Sequence, residues 1–343
     1  MKENPRILLQ IVAVIVSYVA IACIIAAIMQ MIGTGGWAGV DAERFHYMAR
    51  MITNGFAPYI SFVDPKPPLL FFVVAAMDLA GSPGLLDIPV VTAINIVCAL
   101  VIFYIGNKDY GYIPGFFAGG FYLIVAAFVQ GYFLFSEQFA VLFLLLAFIA
   151  AEKREYAIAG IFIGLAFGFK QYAILGLIPL LYLMRAQDER RYYRLVVPAV
   201  IMILAPFAAL LFWYGSDTMM SAINWTFYVA PAYVSGQTIA EIPNYHASDL
   251  FSYALSLASS IFIMLPAVIF SAASVLRRGL RTPSEWTIFL FAILFFGTLF
   301  VRQYLHYWIL ALPFLALLAF REFADDTKKD PTGPSDTHRP GIV

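Results

Sequence analysis

Long apolar runs separated by short polar breaks make up most of the chain, and within each run the apolar residues are continuous rather than alternating. Runs of this kind are read as transmembrane helices, whereas a barrel would show alternation over about ten residues per strand. The expected spans are 8–32, 88–106, 111–129, 136–151, 155–169, 171–187, 195–214, 251–276, 285–301 and 304–320. A further apolar stretch, 67–80, is short and ends at "GSPG". The run from Leu8 to Ile32 follows Lys2 and Arg6 but is too long for a signal peptide and has no small-residue cleavage site, so it is the first span. The expected fold is an all-α integral membrane protein of about ten transmembrane helices. Residues 1–320 form the membrane domain, with no large soluble domain, and 321–343 form a polar cytoplasmic tail without fixed structure.

Composition agrees with that pattern. The chain is 62% hydrophobic and 12% charged, against about 45–50% and about 25% in ordinary soluble domains. Net charge is zero, so nothing points to nucleic acid. Cys23 and Cys98 both fall in apolar spans and imply neither a disulfide framework nor a zinc site.

Charge placement sets the topology. With ten spans, all but five of the 21 Lys and Arg lie on one side, which the positive-inside rule makes cytoplasmic together with both termini. An eleventh crossing at 67–80 would put those basic loops outside, so this stretch is expected to lie along the outer surface as an interfacial helix begun by its prolines. The five exceptions are Arg44, Arg50, Lys66, Lys170 and Arg302, joined on the outer side by His46, His246 and His306. They either bind a specific anion, or snorkel to lipid phosphates and pair with Asp41, Glu43, Asp64 and Glu137.

Asp41, Glu43, Arg44, His46, Arg50, Asp64 and Lys66 crowd into 26 residues of the first outer loop, 33–87. Asp41 follows a glycine-rich turn and has the position of a helix N-cap, with Glu43 in the first helical turn. Phe45, Met48, Ala49 and Ile52 form an apolar stripe that lets this helix lie on the outer leaflet, and Asn54-Gly55 should end it. In "VDPKPPLL" the prolines fix the backbone around Lys66, whose ammonium faces either Asp64 or a phosphate. The second outer loop, 215–250, is aromatic and contains "NWT" at 224–226, a common chance match to a glycosylation sequon.

Asp41, "AR" at 49–50 and "NGFAPYISFVDPKPPL" at 54–69 resemble the first outer loop of GT-C glycosyltransferases, in the branch of protein O-mannosyltransferases and bacterial aminoarabinose transferases. "FSEQFAVLFLLLAFIAAEKR", "GLAFGFKQYAILGLIPLL" and "VRQYLHYWILALPFLALLAF" are similar to that family in the same order, so the resemblance covers about residues 30–320. It implies a GT-C fold and transfer of a sugar from a polyprenyl-phosphate (dolichyl- or undecaprenyl-phosphate) carrier at the outer face. Asp41 is then the base, and Lys66 lies near the donor phosphate. The family's Asp-Glu pair is Asp41-Ala42 here, with Glu43 one place later, its usual tyrosine is Phe45, and its large outer C-terminal domain has no counterpart.

The chemistry is coherent. An acceptor hydroxyl must lose its proton as it attacks the anomeric carbon, which suits one carboxylate as general base. The departing phosphate gains charge, which suits Lys66, Arg302 and Lys170; Arg302 could hold it bidentately. A base on one side and cations on the other fit single displacement with inversion. Retention would need Glu43 or Glu137 as nucleophile. Tyr59, Asp64, Glu137, Tyr304 and His306 complete the expected substrate site, with Tyr304 and Tyr307 open to a second role in an aromatic belt. Asp41, Glu43, Asp64, Glu137 and His306 could ligate a divalent ion, but no spacing demands one and neither a metal nor another cofactor is expected. The expected partners are the lipid-linked sugar donor, a hydroxyl acceptor (lipid-linked, glycan or protein) and membrane lipids. Two rival classes are a polyprenyl-lipid flippase or small-molecule transporter, which would carry polar residues at midspan, and a non-catalytic scaffold.

Overall fold

A computed structural model describes residues 5–32, 37–230, 250–300 and 304–324. Each of the ten apolar runs carries a helix, and among the described residues there is no strand. The helices are α1 (Pro5–Ile32), α2 (Trp37–Thr53), α3 (Pro68–Ala80), α4 (Asp87–Asp109), α5 (Tyr112–Phe128), α6 (Ser136–Glu152) and α7 (Tyr156–Phe169). They continue with α8 (Leu177–Ala186), α9 (Tyr193–Tyr214), α10 (Ser216–Ile223), α11 (Leu250–Arg278), α12 (Pro283–Thr298) and α13 (Trp308–Phe320). Five segments are long and apolar enough to cross a membrane: Arg6–Ile32, Asp87–Asp109, Tyr193–Tyr214, Ile261–Arg278 and Leu305–Phe323. Shorter apolar helices lie between them. This is the architecture of a multi-pass membrane protein.

Two expected spans are built differently. The run 171–187 begins as a 3-10 helix, Gln171–Gly176, before α8, and the run 304–320 begins as a 3-10 turn, Leu305–Tyr307, before α13. The tighter coil lengthens these segments by about 2.0 Å per residue, against about 1.5 Å in an α-helix. Helix α3 has 13 residues and starts with proline at its first turn; at about 1.5 Å per residue it is about 20 Å long, short of a hydrocarbon core of about 30 Å.

Helix α13 is the hub. Every residue from Trp308 to Ala319 is buried, and it touches α4, α5, α6, α11 and α12. A helix apolar on all sides is stable only when other helices surround it. The closest packing is on α7, where Gly160, Gly164 and Gly168 fall on one face. A Cβ on Gly164 would sit 2.5 Å from Cβ of Met202 and 2.6 Å from the Ala199 carbonyl oxygen on α9. One on Gly168 would sit 2.7 Å from the Leu69 side chain on α3. Small residues at four-residue spacing let helix backbones approach where lipid gives no hydrophobic drive to associate.

Helix α2 departs from expectation at its start. It begins at Trp37, so Asp41 lies inside its second turn and is not the N-cap. Its apolar stripe faces protein rather than lipid: Phe45, Met48 and Ala49 are buried, and Phe45 meets Phe71 of α3 edge-on at 6.3 Å. Its end is as expected. Gly55 has φ of 82°, and the Gly55 and Phe56 amides donate to the Ile52 and Met51 carbonyls at 2.9 and 3.0 Å, which is a Schellman ending.

Charged side chains collect at the two ends of the bundle. At one end Lys108 pairs with Glu152 at 2.9 Å, and Glu152 accepts from Ser284 at 2.5 Å. There Glu285 caps α12 in a reciprocal box with Thr282. The same carboxylate lies 3.9 Å from Arg321, and both side chains are 2% exposed. Residue 321, expected to open the polar tail, is thus part of the packed bundle; 325–343 lie outside the described residues.

Candidate functional site

The opposite end gathers side chains from five places in the sequence. The loop 54–67 lies between α2 and α3, and its shape is held from within. Tyr59 has φ of 61°, a left-handed conformation that costs a non-glycine residue about 1–3 kcal/mol unless its surroundings enforce it. They do: Tyr59 is 1% exposed, its hydroxyl donates to the Lys66 carbonyl at 2.6 Å, and its own carbonyl accepts from Ser221 of α10 at 2.8 Å. Gln171, following α7, donates to the Pro65 carbonyl. Helix α10 and the α7–α8 turn therefore both fasten the lysine-bearing loop. Tyr59, expected as a substrate contact, is instead a buried strut of that loop.

Lys66 points into this end. Its ammonium is 3.5 Å from Asp64 and 4.8 Å from the centre of the Phe45 ring. Asp64 also accepts the Lys66 backbone amide at 2.9 Å. The ion pair weighed in the sequence is thus present, although the Lys66 side chain remains 18% exposed while Asp64 is 1% exposed. Arg44 bridges the two acids of the loop, 4.0 Å from Asp41 and 3.8 Å from Asp64. Asp41 is the most open carboxylate of the group, with 28% of its side chain exposed. Glu43 lies on the outward side of α2 with Tyr47 and Arg50, all exposed, away from the stripe that continues from Asp41.

A second group comes from α6, α7 and α13. Lys170 ends α7 and lies 2.6 Å from Glu137 in the first turn of α6, both side chains nearly inaccessible. The Tyr307 ring covers the ammonium at 4.1 Å from its centre. Snorkelling is excluded for Lys170, and Glu137 is not a helix cap, since α6 has no side-chain cap. The second Glu137 oxygen accepts from Ser136 at 3.0 Å. His306 lies 3.9 Å from Glu137, stacks on Phe135 at 4.2 Å and has its Nδ1 3.3 Å from Gln130. Gln130 itself has φ of 63°. Gln171, next to Lys170, reaches the Pro65 carbonyl, next to Lys66, so the two groups lie side by side.

Of the residues expected at the site, Asp41, Asp64, Lys66, Glu137, Lys170 and His306 are brought together. Tyr304 is partly exposed and stacks on His306 at 5.5 Å. Arg302, His246 and residues 231–249 of the second outer loop lie outside the described residues. Sequence reasoning left Gln130 and Gln171 out of the site, and carried Arg44 only as one of five outward cations and Tyr307 as a donor or a belt residue. Arg44 had a visible signal, three residues after Asp41 on a helix; the others are placed by tertiary packing alone. Asn224 is exposed, but Thr226 of the "NWT" sequon is buried, which leaves that sequon poorly presented. Among the described residues no three His, Cys, Asp or Glu side chains converge in a geometry suited to a metal ion.

Comparison of the chain with protein-family models, curated proteins and solved structures gave no match.

Proposed function

We infer that this protein is a membrane glycosyltransferase of GT-C type. It takes a sugar from a polyprenyl-phosphate carrier and places it, with inversion, on an acceptor hydroxyl at the outer membrane face. The observation that carries this reading is the difference in access within one charged cluster. Asp41 is open while Asp64 and Glu137 are sealed in ion pairs, and Lys66 keeps an open edge while Lys170 does not. An incoming hydroxyl can therefore meet one carboxylate, and an incoming phosphate can meet Lys66 and the half-exposed Arg44.

In this mechanism Asp41 takes the acceptor proton as the new bond to the anomeric carbon forms. The bond from that carbon to the phosphate oxygen breaks, and its electron pair leaves with the phosphate. Lys66, Arg44 and Arg302 stabilise that growing charge. Lys170 acts through Glu137 by holding the buried wall of the site. The outward position of Glu43 gives no support to a retaining route. A ten-span topology with both termini cytoplasmic fits the basic residues gathered at the far end, including Lys108, Lys153, Arg154, Arg185 and Arg277. The transporter reading gains little, because the described Asp, Glu, Lys, Arg and His side chains of the five long apolar helices sit at their ends rather than at midspan.

The test is binding of polyprenyl monophosphate to the purified protein. Saturable binding lost in Lys66→Ala and Arg302→Ala is expected, with Asp41→Asn retaining binding and losing sugar transfer. Binding indifferent to both substitutions would make these cations lipid anchors and end the transferase reading.

A further inference from the structure

Seven residues of α2 separate the open carboxylate Asp41 from Ala49, and among the described residues of that stretch His46 makes the ionic tie to neighbouring helices while Arg44 reaches Asp64 of the loop. Its ring is 7% exposed. Nδ1 lies 2.7 Å from Asp78 near the end of α3. Nε2 lies 2.8 and 3.0 Å from the two oxygens of Asp87, the first residue of α4. The two nitrogens face carboxylates on different helices and do not converge on a common point, so this is a tie and not a metal site.

A neutral imidazole has one N–H and one lone pair. With a carboxylate against each nitrogen, the neutral ring would set a lone pair against a carboxylate oxygen at under 3 Å. With both carboxylates ionised, only the imidazolium satisfies both contacts. We propose that His46 is a positioning residue: a protonated clamp that fixes α2 on α3 and α4 and so sets Asp41 in register with Lys66. Phe45, the neighbouring residue, forms the floor under Lys66, and α3 starts two residues after that lysine. The other contacts between α2 and α3 are apolar, such as Phe45 on Phe71, and tolerate sliding because burial has no direction. The clamp supplies the direction.

The charged groups around His46 are few. Asp78 faces it from α3 and Asp87 from α4, while on α2 Glu43 and Arg50 are exposed one turn away on either side; the linker 81–86 has no charge. The bond to Asp87 raises the His46 pKa most, helped by the charges of both acids and opposed by burial. A pKa raised in the folded state means the clamp stabilises fully below the unfolded value of about 6.5 and is lost as pH climbs through the higher folded value. The device loosens on the alkaline side.

The clamp stands on its own geometry; its effect on Asp41 rests on the transferase reading. Nitrogen NMR of the full chain labelled at its four histidines, with His46→Gln to assign the signal, tests the first. The expected result at pH 7 is a His46 ring protonated at both nitrogens, with Asp87→Asn lowering its midpoint by at least one pH unit. A single neutral tautomer at pH 7, or a midpoint indifferent to Asp87→Asn, would overturn the clamp whatever the enzyme does. Hydrogen exchange gives a second readout. Amides of 41–53, corrected for intrinsic rates, should open at least tenfold more above the midpoint, and at lower pH in Asp87→Asn; protection unchanged across the titration would overturn the positioning role. If both hold, the alkaline limb of kcat should move with Asp87→Asn, whereas a failure of polyprenyl phosphate to bind would sink only the transferase reading.

Discussion

Glu137 and Lys170 show how a single residue can matter without touching substrate. Each is sealed from solvent, so removing one leaves the other charged, buried and alone, at a cost of about 3–5 kcal/mol. Lys170→Met should lose about that much stability, and adding Glu137→Gln should recover most of it; reversible unfolding in detergent of the two singles and the double measures the coupling. A double variant that loses the sum of the two single losses would mean the pair is not coupled. Tyr59→Phe is gentler. It removes the hydroxyl that bonds the Lys66 carbonyl, a bond worth about 1 kcal/mol, and should weaken polyprenyl phosphate binding by releasing the loop. The clustering of Asp41, Asp64 and Lys66 was legible in the sequence because these acids and lysine crowd one short loop. That Lys170 is sealed was not legible, because Tyr307 and Glu137, which cover it, come from distant helices. The N-cap reading of Asp41 failed because α2 extends back to Trp37 through a glycine-containing stretch with weak helix propensity.

At the scale of elements, α7 is a spacer. Its glycine face lets α9 come to backbone distance and takes the Leu69 side chain of α3, and Lys170 follows directly at its end. Gly164→Val must push α9 away and should cost about 1–3 kcal/mol by overpacking. Gly297 near the end of α12 is the control: nothing lies within 4 Å of a Cβ there, so Gly297→Ala should be neutral or up to about 1 kcal/mol stabilising through helix propensity. Thermal unfolding of the two variants checks the contrast, and equal effects would mean that close approach is not what α7 contributes. Continuous apolarity was enough to find the helices. It could not foresee the 3-10 starts at 171 and 305, nor what the stripe on α2 faces, since an amphipathic pattern says that a side is buried and not against what.

For the whole molecule, the separation of charge into two ends is the main feature. One end has most of the basic residues, and the other has Asp41, Lys66 and Lys170. If the bundle crosses the membrane as proposed, cysteines placed at Arg190 and at Arg50, in a chain lacking Cys23 and Cys98, should react with an impermeant thiol reagent from opposite faces of sealed vesicles. Reaction from the same face would remove the outer-face assignment.

The tie between Glu285 and Arg321 also constrains biosynthesis. Glu285 is made and inserted while Arg321 does not yet exist, so that carboxylate enters the bundle with its helix cap and the Arg281 amide before Arg321 is there to face it. The balancing cation arrives at the end of α13, and the same helix brings His306 and Tyr307 to the other end. Translation order thus makes α13 the closing step of assembly: a chain halted before it would lack both the Arg321 cation at one end and the His306 and Tyr307 rings at the other.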